Sequence, residues 1–192
     1  METWTGAVKK RRTGRKLPQI LSKDDVLNIL NAIPSERDRI LTELIYRAGL
    51  RISETLNLKK EDFKADLSAV FVRQGKGKKD RWAIIIQSES FKATLNKILN
   101  NTPNNGYIFR NKYGKRLSPR YVQKILAKVG RKLGISLHPH MLRHTHATEL
   151  YNQGAPLEII KTQLGHANLN TTLIYAHIGI ERIKDSLKEV KL

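Results

Sequence analysis

One pair of β-rich runs interrupts a chain whose apolar residues otherwise recur at helical spacing. The runs cover residues 69–72 and 82–86, and the segment between them holds glycines at positions 75 and 77. A short connection that contains glycine can bring two adjacent β-runs together as an antiparallel hairpin. The pattern therefore predicts an α+β domain that is mainly α-helical and has one small antiparallel sheet.

Helical spacing predicts the elements before and after this hairpin. The first helix follows Ser22, a capping residue with acidic residues behind it, and ends at Pro34. Another helix begins at Ser118 and ends at Gly134, and its apolar stripe includes Leu133, which we expect to be buried. The last third of the chain is predicted to be helical with breaks at glycine and proline. Further helices are predicted over residues 36–48, 53–58 and 88–99.

Positive charge dominates the composition. The 192 residues include 36 lysines and arginines against 17 aspartates and glutamates, so the formal net charge is +19 and the pI is about 10.3. Charge of this size makes a compact chain repel itself, so a polyanionic partner is the first explanation to consider. Residues 110–132 hold nine cations and no acidic residue. This segment predicts a surface for a phosphate backbone, and a merely solvated helix face is the alternative.

Two absences limit the class of protein. The chain has no cysteine, which excludes a disulfide scaffold, a cysteine-based zinc site and a cysteine nucleophile. No apolar stretch approaches the roughly 18 residues of a membrane span, and the N-terminus lacks the apolar core of a signal peptide. We therefore expect a soluble, cytoplasmic protein without a membrane partner. Residues 1–18 are expected to form a basic N-terminal arm that DNA orders, or a linker.

All six histidines lie in the last third of the chain, which raises the question of a metal site. His140 and His144 are four residues apart and would share one helix face. A zinc-binding helix of this spacing usually carries glutamate after the first histidine, whereas this chain has Met141 there. Arg143 would repel a metal ion, and its planar set of donors suits phosphate oxygens. We therefore predict an anion site without metal, for which Tyr175 is a candidate nucleophile.

Five short motifs follow one another along the chain. They are residues 49–54, 75–81, 140–148 and 164–166, followed by Tyr175. No single motif is specific, but together their order and spacing resemble the tyrosine recombinase (integrase) family. The resemblance covers approximately residues 16–188, and it corresponds to the catalytic domain of that family.

The resemblance implies that four residues bind the scissile phosphate. Arg51 and Arg143 are similar to the arginine pair that contacts its non-bridging oxygens. His140 resembles the histidine that also handles the tyrosine proton, and His166 resembles a second phosphate-contacting histidine. Cationic and proton-bearing groups can stabilise the charge of such a transition state as divalent ions do elsewhere.

The resemblance also implies which groups react. Tyr175 is similar to the nucleophile that forms a 3′-phosphotyrosine link. Lys76 is similar to the general acid that protonates the leaving 5′-oxygen, and Lys78 and Lys79 on the same turn are alternatives for this role. The family uses no metal and no other cofactor, because the phosphotyrosine link conserves the energy of the broken bond.

Residues of the hairpin and of the basic segment are expected to contact DNA. The expected DNA-binding residues are Lys78, Lys79, Arg81, Arg110, Lys112, Lys115, Arg116, Arg120 and Lys124.

The expected function is that of a site-specific recombinase that cleaves and rejoins DNA strands. The alternatives are DNA relaxation of the type IB topoisomerase kind and a non-catalytic DNA-binding protein with the same fold. Double-stranded DNA is the expected partner, together with further copies of the chain as a tetramer on paired sites, with a monomer in solution left open. Residues 19–178 are expected to form the catalytic domain. Residues 179–192 are expected to form a tail helix that packs on its own domain or docks onto a neighbouring subunit.

Overall fold

The computed structural model describes residues 19–73 and 80–165 of the chain. The α-helices and β-strands in these ranges are α1 Lys23–Asn31, α2 Glu36–Arg47, α3 Ile52–Asn57, β1 Ala69–Val72, β2 Arg81–Ile84, α4 Glu89–Asn100, α5 Pro119–Leu133, α6 Pro139–Asn152 and α7 Leu157–Leu164. Strands β1 and β2 pair antiparallel, with Ala69 opposite Ile84 and Val72 opposite Arg81. The predicted fold class, mainly helical with one small antiparallel sheet, is confirmed.

Helices α1 and α5 begin at the serines that the sequence indicated. Ser22 Oγ accepts a hydrogen bond from the Asp25 backbone at 3.1 Å, and Asp25 Oδ2 accepts one from the Ser22 backbone at 2.9 Å. This reciprocal pair satisfies two amide groups that the first turn leaves without helical partners. Helix α5 is capped by Ser118, and it ends at Gly134 in the left-handed conformation, with φ of 71°.

Helix α3 and strand β2 have boundaries that differ from the sequence prediction. Helix α3 begins at Ile52, one residue early, because the Glu54 side chain accepts a hydrogen bond from the Arg51 backbone and stabilises the first turn. Strand β2 ends at Ile84, before the predicted end at residue 86. The chain leaves the two-stranded ladder there, because the Ile86 amide donates to the Arg47 carbonyl at 3.1 Å.

The prediction that Leu133 is buried is wrong, since 36% of this residue is exposed. The chain reverses at Gly134 and returns along helix α5, where Leu137 packs close to Gly130.

The main core lies between the helices and the inner face of the hairpin. Its largest fully buried side chains include Phe91, Phe109, Ile29, Ile40, Leu44 and Leu95. A smaller cluster of Ala147, Ile160 and Leu164 joins helices α6 and α7. Within residues 19–73 and 80–165, every helix is too short or too polar to cross a bilayer.

The Gln163 side chain joins helix α7 to the sheet. Its Nε2 donates to the Ala48 carbonyl at 3.1 Å and to the Ile84 carbonyl at 2.7 Å, while its Oε1 accepts from the Ile84 amide at 3.0 Å. One buried amide thus satisfies the backbone of β2 and the end of α2 together. This arrangement places the C-terminal end of α7 beside the start of α3, where the candidate site lies.

Several predictions fall on residues outside the described ranges. These are the arm at residues 1–18, the hairpin turn with Lys76, Lys78 and Lys79, and the segment from residue 166 onward, which includes His166, Tyr175 and the tail helix at residues 179–192.

Candidate active site

Arg51 lies at the start of helix α3 and is partly exposed. Its Nη1 donates to Glu54 Oε1 at 2.6 Å, and its Nη2 donates to the Gly165 carbonyl at 3.2 Å. About a quarter of the side chain remains accessible, with a relative exposure of 28%. The guanidinium is therefore held on two sides while part of its surface faces outward.

Arg143 lies in the second turn of helix α6 and is buried. Its Nη1 donates to the Gly49 carbonyl, and its Nη2 donates to the Leu164 carbonyl at 2.7 Å. Its Nη1 also lies 3.7 Å from Glu54 Oε2. Arg51 and Arg143, which are 92 positions apart in the chain, thus meet at one carboxylate.

The last carbonyl groups of helix α7 accept hydrogen bonds from three arginine side chains. The carbonyls of Gln163, Leu164 and Gly165 accept from Arg81, Arg143 and Arg51 at 2.9, 2.7 and 3.2 Å respectively. The final carbonyls of a helix lack helical partners, and they form the negative end of its dipole. The end of α7 therefore both satisfies its own backbone and holds the guanidinium groups in place.

Glu54 is a residue of the candidate site that the sequence reasoning missed. It is 7% exposed, and it contacts Arg51, Arg81 and Arg143. Burial raises the pKa of Glu54, but the hydrogen bonds and charge of Arg81, followed by the hydrogen bonds of Arg51, hold it at about 2. Glu54 stands within the first recognised motif, so an acidic residue three positions after an arginine was the available signal.

His140 stands one turn before Arg143 and is exposed at the start of helix α6. Its pKa is lowered by partial burial and then by the positive charges of Arg143, His138 and Arg51. The imidazole is therefore neutral near pH 7 and can accept a proton from a neighbouring group.

His146 belongs to the core rather than to the site. It is 1% exposed, and burial followed by the charge of Arg143 lowers its pKa to about 4. Its ring packs against Gly49, where an added Cβ would lie 2.5 Å from His146 Cδ2. Gly49 also has φ of 62°, so the turn that leads to Arg51 requires glycine for both reasons.

The structure brings together three of the six predicted site residues. Arg51 and Arg143 share Glu54, and His140 lies close enough for both arginines to lower its pKa. The other three, Lys76, His166 and Tyr175, lie outside the described residues. Among residues 19–73 and 80–165, no three histidine or acidic side chains are grouped as metal ligands would be.

Most of the predicted DNA-binding residues in the described ranges lie on the surface. The exposed ones are Lys112, Lys115, Arg116, Arg120 and Lys124, which we call the basic surface. Arg110 is only half-buried, and its Nη2 donates to the Asn101 carbonyl at 2.5 Å.

Among the predicted DNA-binding residues, Arg81 lies on the buried face of the sheet. Arg81 is 9% exposed, and its guanidinium contacts Glu54 and the Gln163 carbonyl. Its position at the start of β2 turns the side chain to the buried face of the sheet, where the Glu54 carboxylate lies. Arg81 is therefore an interior partner of the candidate site.

The helical fold of residues 19–73 and 80–165, with its two-stranded hairpin, matches the catalytic domains of tyrosine recombinases. The chain belongs to the phage integrase family, whose model matches residues 19–182. It is 36% identical over 189 residues to the tyrosine recombinase XerA of Pyrococcus horikoshii, a match that covers 96% of this chain and 66% of the relative. The chain therefore spans slightly less than two thirds of the length of that relative.

Solved structures show the same similarity. The crystal structure of XerA recombinase superposes with a TM-score of 0.77 at 29% identity, covering 94% of this chain and 68% of that one. The XerH site-specific recombinase, solved with its palindromic difH substrate after cleavage, gives a TM-score of 0.76 at 29% identity. That match covers 91% of this chain and 54% of XerH.

Proposed function

We propose that this chain is the catalytic part of a site-specific DNA recombinase that works through a 3′-phosphotyrosine intermediate. The observation that carries the proposal is the convergence of Arg51 and Arg143 on Glu54 and on the end of helix α7. Two guanidinium groups held side by side can contact the non-bridging oxygens of one phosphate. The recombinase names of the similar proteins support the same conclusion.

In the proposed reaction, the phenol oxygen of Tyr175 attacks the scissile phosphorus. The new oxygen–phosphorus bond replaces the bond to the 5′-oxygen, which takes a proton from Lys76 as it leaves. The phenol proton passes to His140, whose lowered pKa keeps it neutral and able to accept. Arg51, Arg143 and His166 offset the negative charge that develops on the phosphoryl oxygens.

Rejoining is the same step in reverse with a new 5′-hydroxyl. One phosphodiester-type bond is exchanged for another, so the energy of the first bond is kept in the phosphotyrosine link. The proposed reaction therefore uses neither a metal ion nor a nucleotide.

Double-stranded DNA is the proposed substrate. The basic surface offers cations for the phosphate backbone, and XerH was solved with a DNA substrate. Exchange between two duplexes requires four strand cleavages, and each needs one tyrosine. We therefore propose that four copies of the chain act together on paired sites.

The deciding experiment is to trap the covalent intermediate. A duplex with a nick close to the cleavage site releases a short 5′-hydroxyl fragment, so the protein remains joined to the 3′ end. We expect a protein–DNA adduct that survives denaturation. A protein that binds this DNA without forming any adduct would be a non-catalytic binder. Relaxation of a single supercoiled circle without exchange between two sites would indicate a topoisomerase instead.

DNA affinity should fall steeply with salt. Each phosphate contact contributes a slope of about −0.9 to a plot of log affinity against log salt, because binding releases condensed counterions. Lys124, exposed on helix α5, should account for one such contact, so Lys124→Gln should make the slope shallower by about 0.9. Fluorescence anisotropy over a series of salt concentrations measures the slope.

Lys92→Gln on helix α4 is the matched control, because Lys92 lies outside the basic segment. It should leave the slope unchanged. An equal change in both variants, or a wild-type slope near zero, would contradict the assignment of the basic surface to DNA.

A further inference from the structure

Arg81 is buried beside the candidate site, where its guanidinium contacts Glu54. Its side chain is 7% exposed, as is that of Glu54, whereas the Arg51 side chain is 28% exposed. The carboxylate of Glu54 thus has a buried partner on one side and a partly accessible partner on the other.

We propose that Arg81 is a positioning residue that supplies the counter-charge of Glu54, so that Arg51 and Arg143 keep their positive charge for the scissile phosphate. This inference rests on the proposed function, since it assigns a task to the same site. It concerns a residue that acts through Glu54 and does not touch the DNA.

The Arg81 guanidinium contacts the Glu54 carboxylate in a bidentate geometry. Arg81 Nη1 lies 3.2 Å from Glu54 Oε1, and Nη2 lies 3.0 Å from Oε2. Its Nε donates to the Gln163 carbonyl at 2.9 Å, so the guanidinium is held on two of its edges. Two parallel bonds of this kind fix orientation as well as charge, which a lysine ammonium cannot do.

The balance of charge explains why a third arginine is useful. Glu54 carries one negative charge, and three guanidinium groups surround it. With Arg81 present, its charge cancels that of Glu54, and the two charges of Arg51 and Arg143 remain. Without Arg81, the Glu54 carboxylate would cancel one of the two positive charges of Arg51 and Arg143. The site would then present the phosphate with one net positive charge instead of two.

The protonation state of Glu54 supports this account. Burial alone would favour the neutral acid, but Arg81 and then Arg51 keep its pKa at about 2. The carboxylate is therefore ionised at every pH at which a recombinase works. Its negative charge has to be offset within the protein if it is not to weaken phosphate binding at the transition state.

A charge-neutralisation test on single-turnover adduct formation separates this role from simple support of the fold. The substrate is the nicked duplex described above, and DNA affinity and the thermal midpoint are measured beside the rate. Arg81→Gln removes the charge and keeps hydrogen-bonding groups, so cleavage should fall by about tenfold or more while DNA affinity stays unchanged. The double variant Arg81→Gln with Glu54→Gln removes both charges and should cleave faster than Arg81→Gln alone.

Arg81→Lys keeps the charge and loses the fork, so it should cleave faster than Arg81→Gln. A double variant slower than Arg81→Gln, or equal rates for the lysine and glutamine variants, would overturn the charge role. A parallel loss of DNA affinity would indicate that Arg81 contacts DNA, and it would also overturn the charge role. If wild-type protein forms no adduct, the proposed function fails and this role fails with it. A wild-type adduct beside full activity of Arg81→Gln overturns only the role of Arg81.

Discussion

Tyr175→Phe should reduce the covalent protein–DNA adduct to background on the nicked duplex. The substitution removes one oxygen atom, and that atom is the proposed nucleophile that forms the bond to phosphorus. DNA affinity should stay at the wild-type value, because the cations that bind the backbone are unchanged. A denaturing gel with end-labelled DNA measures the adduct, and a gel-shift assay measures affinity.

Tyr113→Phe is the matched control, since Tyr113 is 74% exposed and lies outside the candidate site. It should form the adduct at the wild-type rate. Adduct formation by Tyr175→Phe would show that another residue attacks the phosphorus, and the assignment of the nucleophile would then be wrong.

Arg143→Lys should slow adduct formation by about 10²–10³-fold, the range seen when one donor to a developing charge is removed. Lysine retains the positive charge, but a single ammonium cannot replace the guanidinium bonds to the Gly49 and Leu164 carbonyls. The phosphate therefore loses a fixed donor, and the end of helix α7 loses a partner. Single-turnover kinetics on the nicked duplex measure the effect.

Arg39→Lys on helix α2 carries the same substitution outside the site and should leave the rate unchanged. Thermal unfolding of both variants tests whether the fold is retained. If Arg143→Lys cleaves at the wild-type rate, Arg143 supports only the packing of α6, and the phosphate must be bound elsewhere.

Local signals in the sequence were sufficient for most of the fold. Ser22 and Ser118 cap the helices that they were expected to cap, and Gly134 ends α5. These signals act over a few residues, because capping bonds join groups three positions apart. The β-rich runs likewise sufficed for the hairpin, since its two strands are adjacent in the chain.

The orientation of strand β2 could not be predicted in the same way. Arg81 and Ala83 face inward, while Trp82 is 46% exposed and Ile84 is 57% exposed. The sequence alone favours a buried Trp82 and an exposed Arg81, because apolar side chains usually face the core. The actual orientation depends on Glu54, which lies 27 positions earlier. Only the folded chain brings that carboxylate to the sheet.

The candidate site was predictable to the extent that its motifs were recognisable. Arg51, Arg143 and His140 stand in motifs and are close together in the structure, whereas the role of Glu54 depends on contacts between distant elements. Lys76, His166 and Tyr175 remain predictions, and the experiments above test the last of these directly.

The fixed position of Gly165 at the end of helix α7 also limits where the proposed nucleophile, Tyr175, can act. Gly165, whose carbonyl accepts from Arg51, is followed ten residues later by Tyr175. Even a fully stretched connection of that length reaches only about 35 Å. The Cα atom of Tyr175 must then lie within that distance of Gly165. The attacked phosphorus lies beyond this Cα atom by no more than the length of the tyrosine side chain and one oxygen–phosphorus bond, whether the strand is held by the same subunit or by an adjacent one.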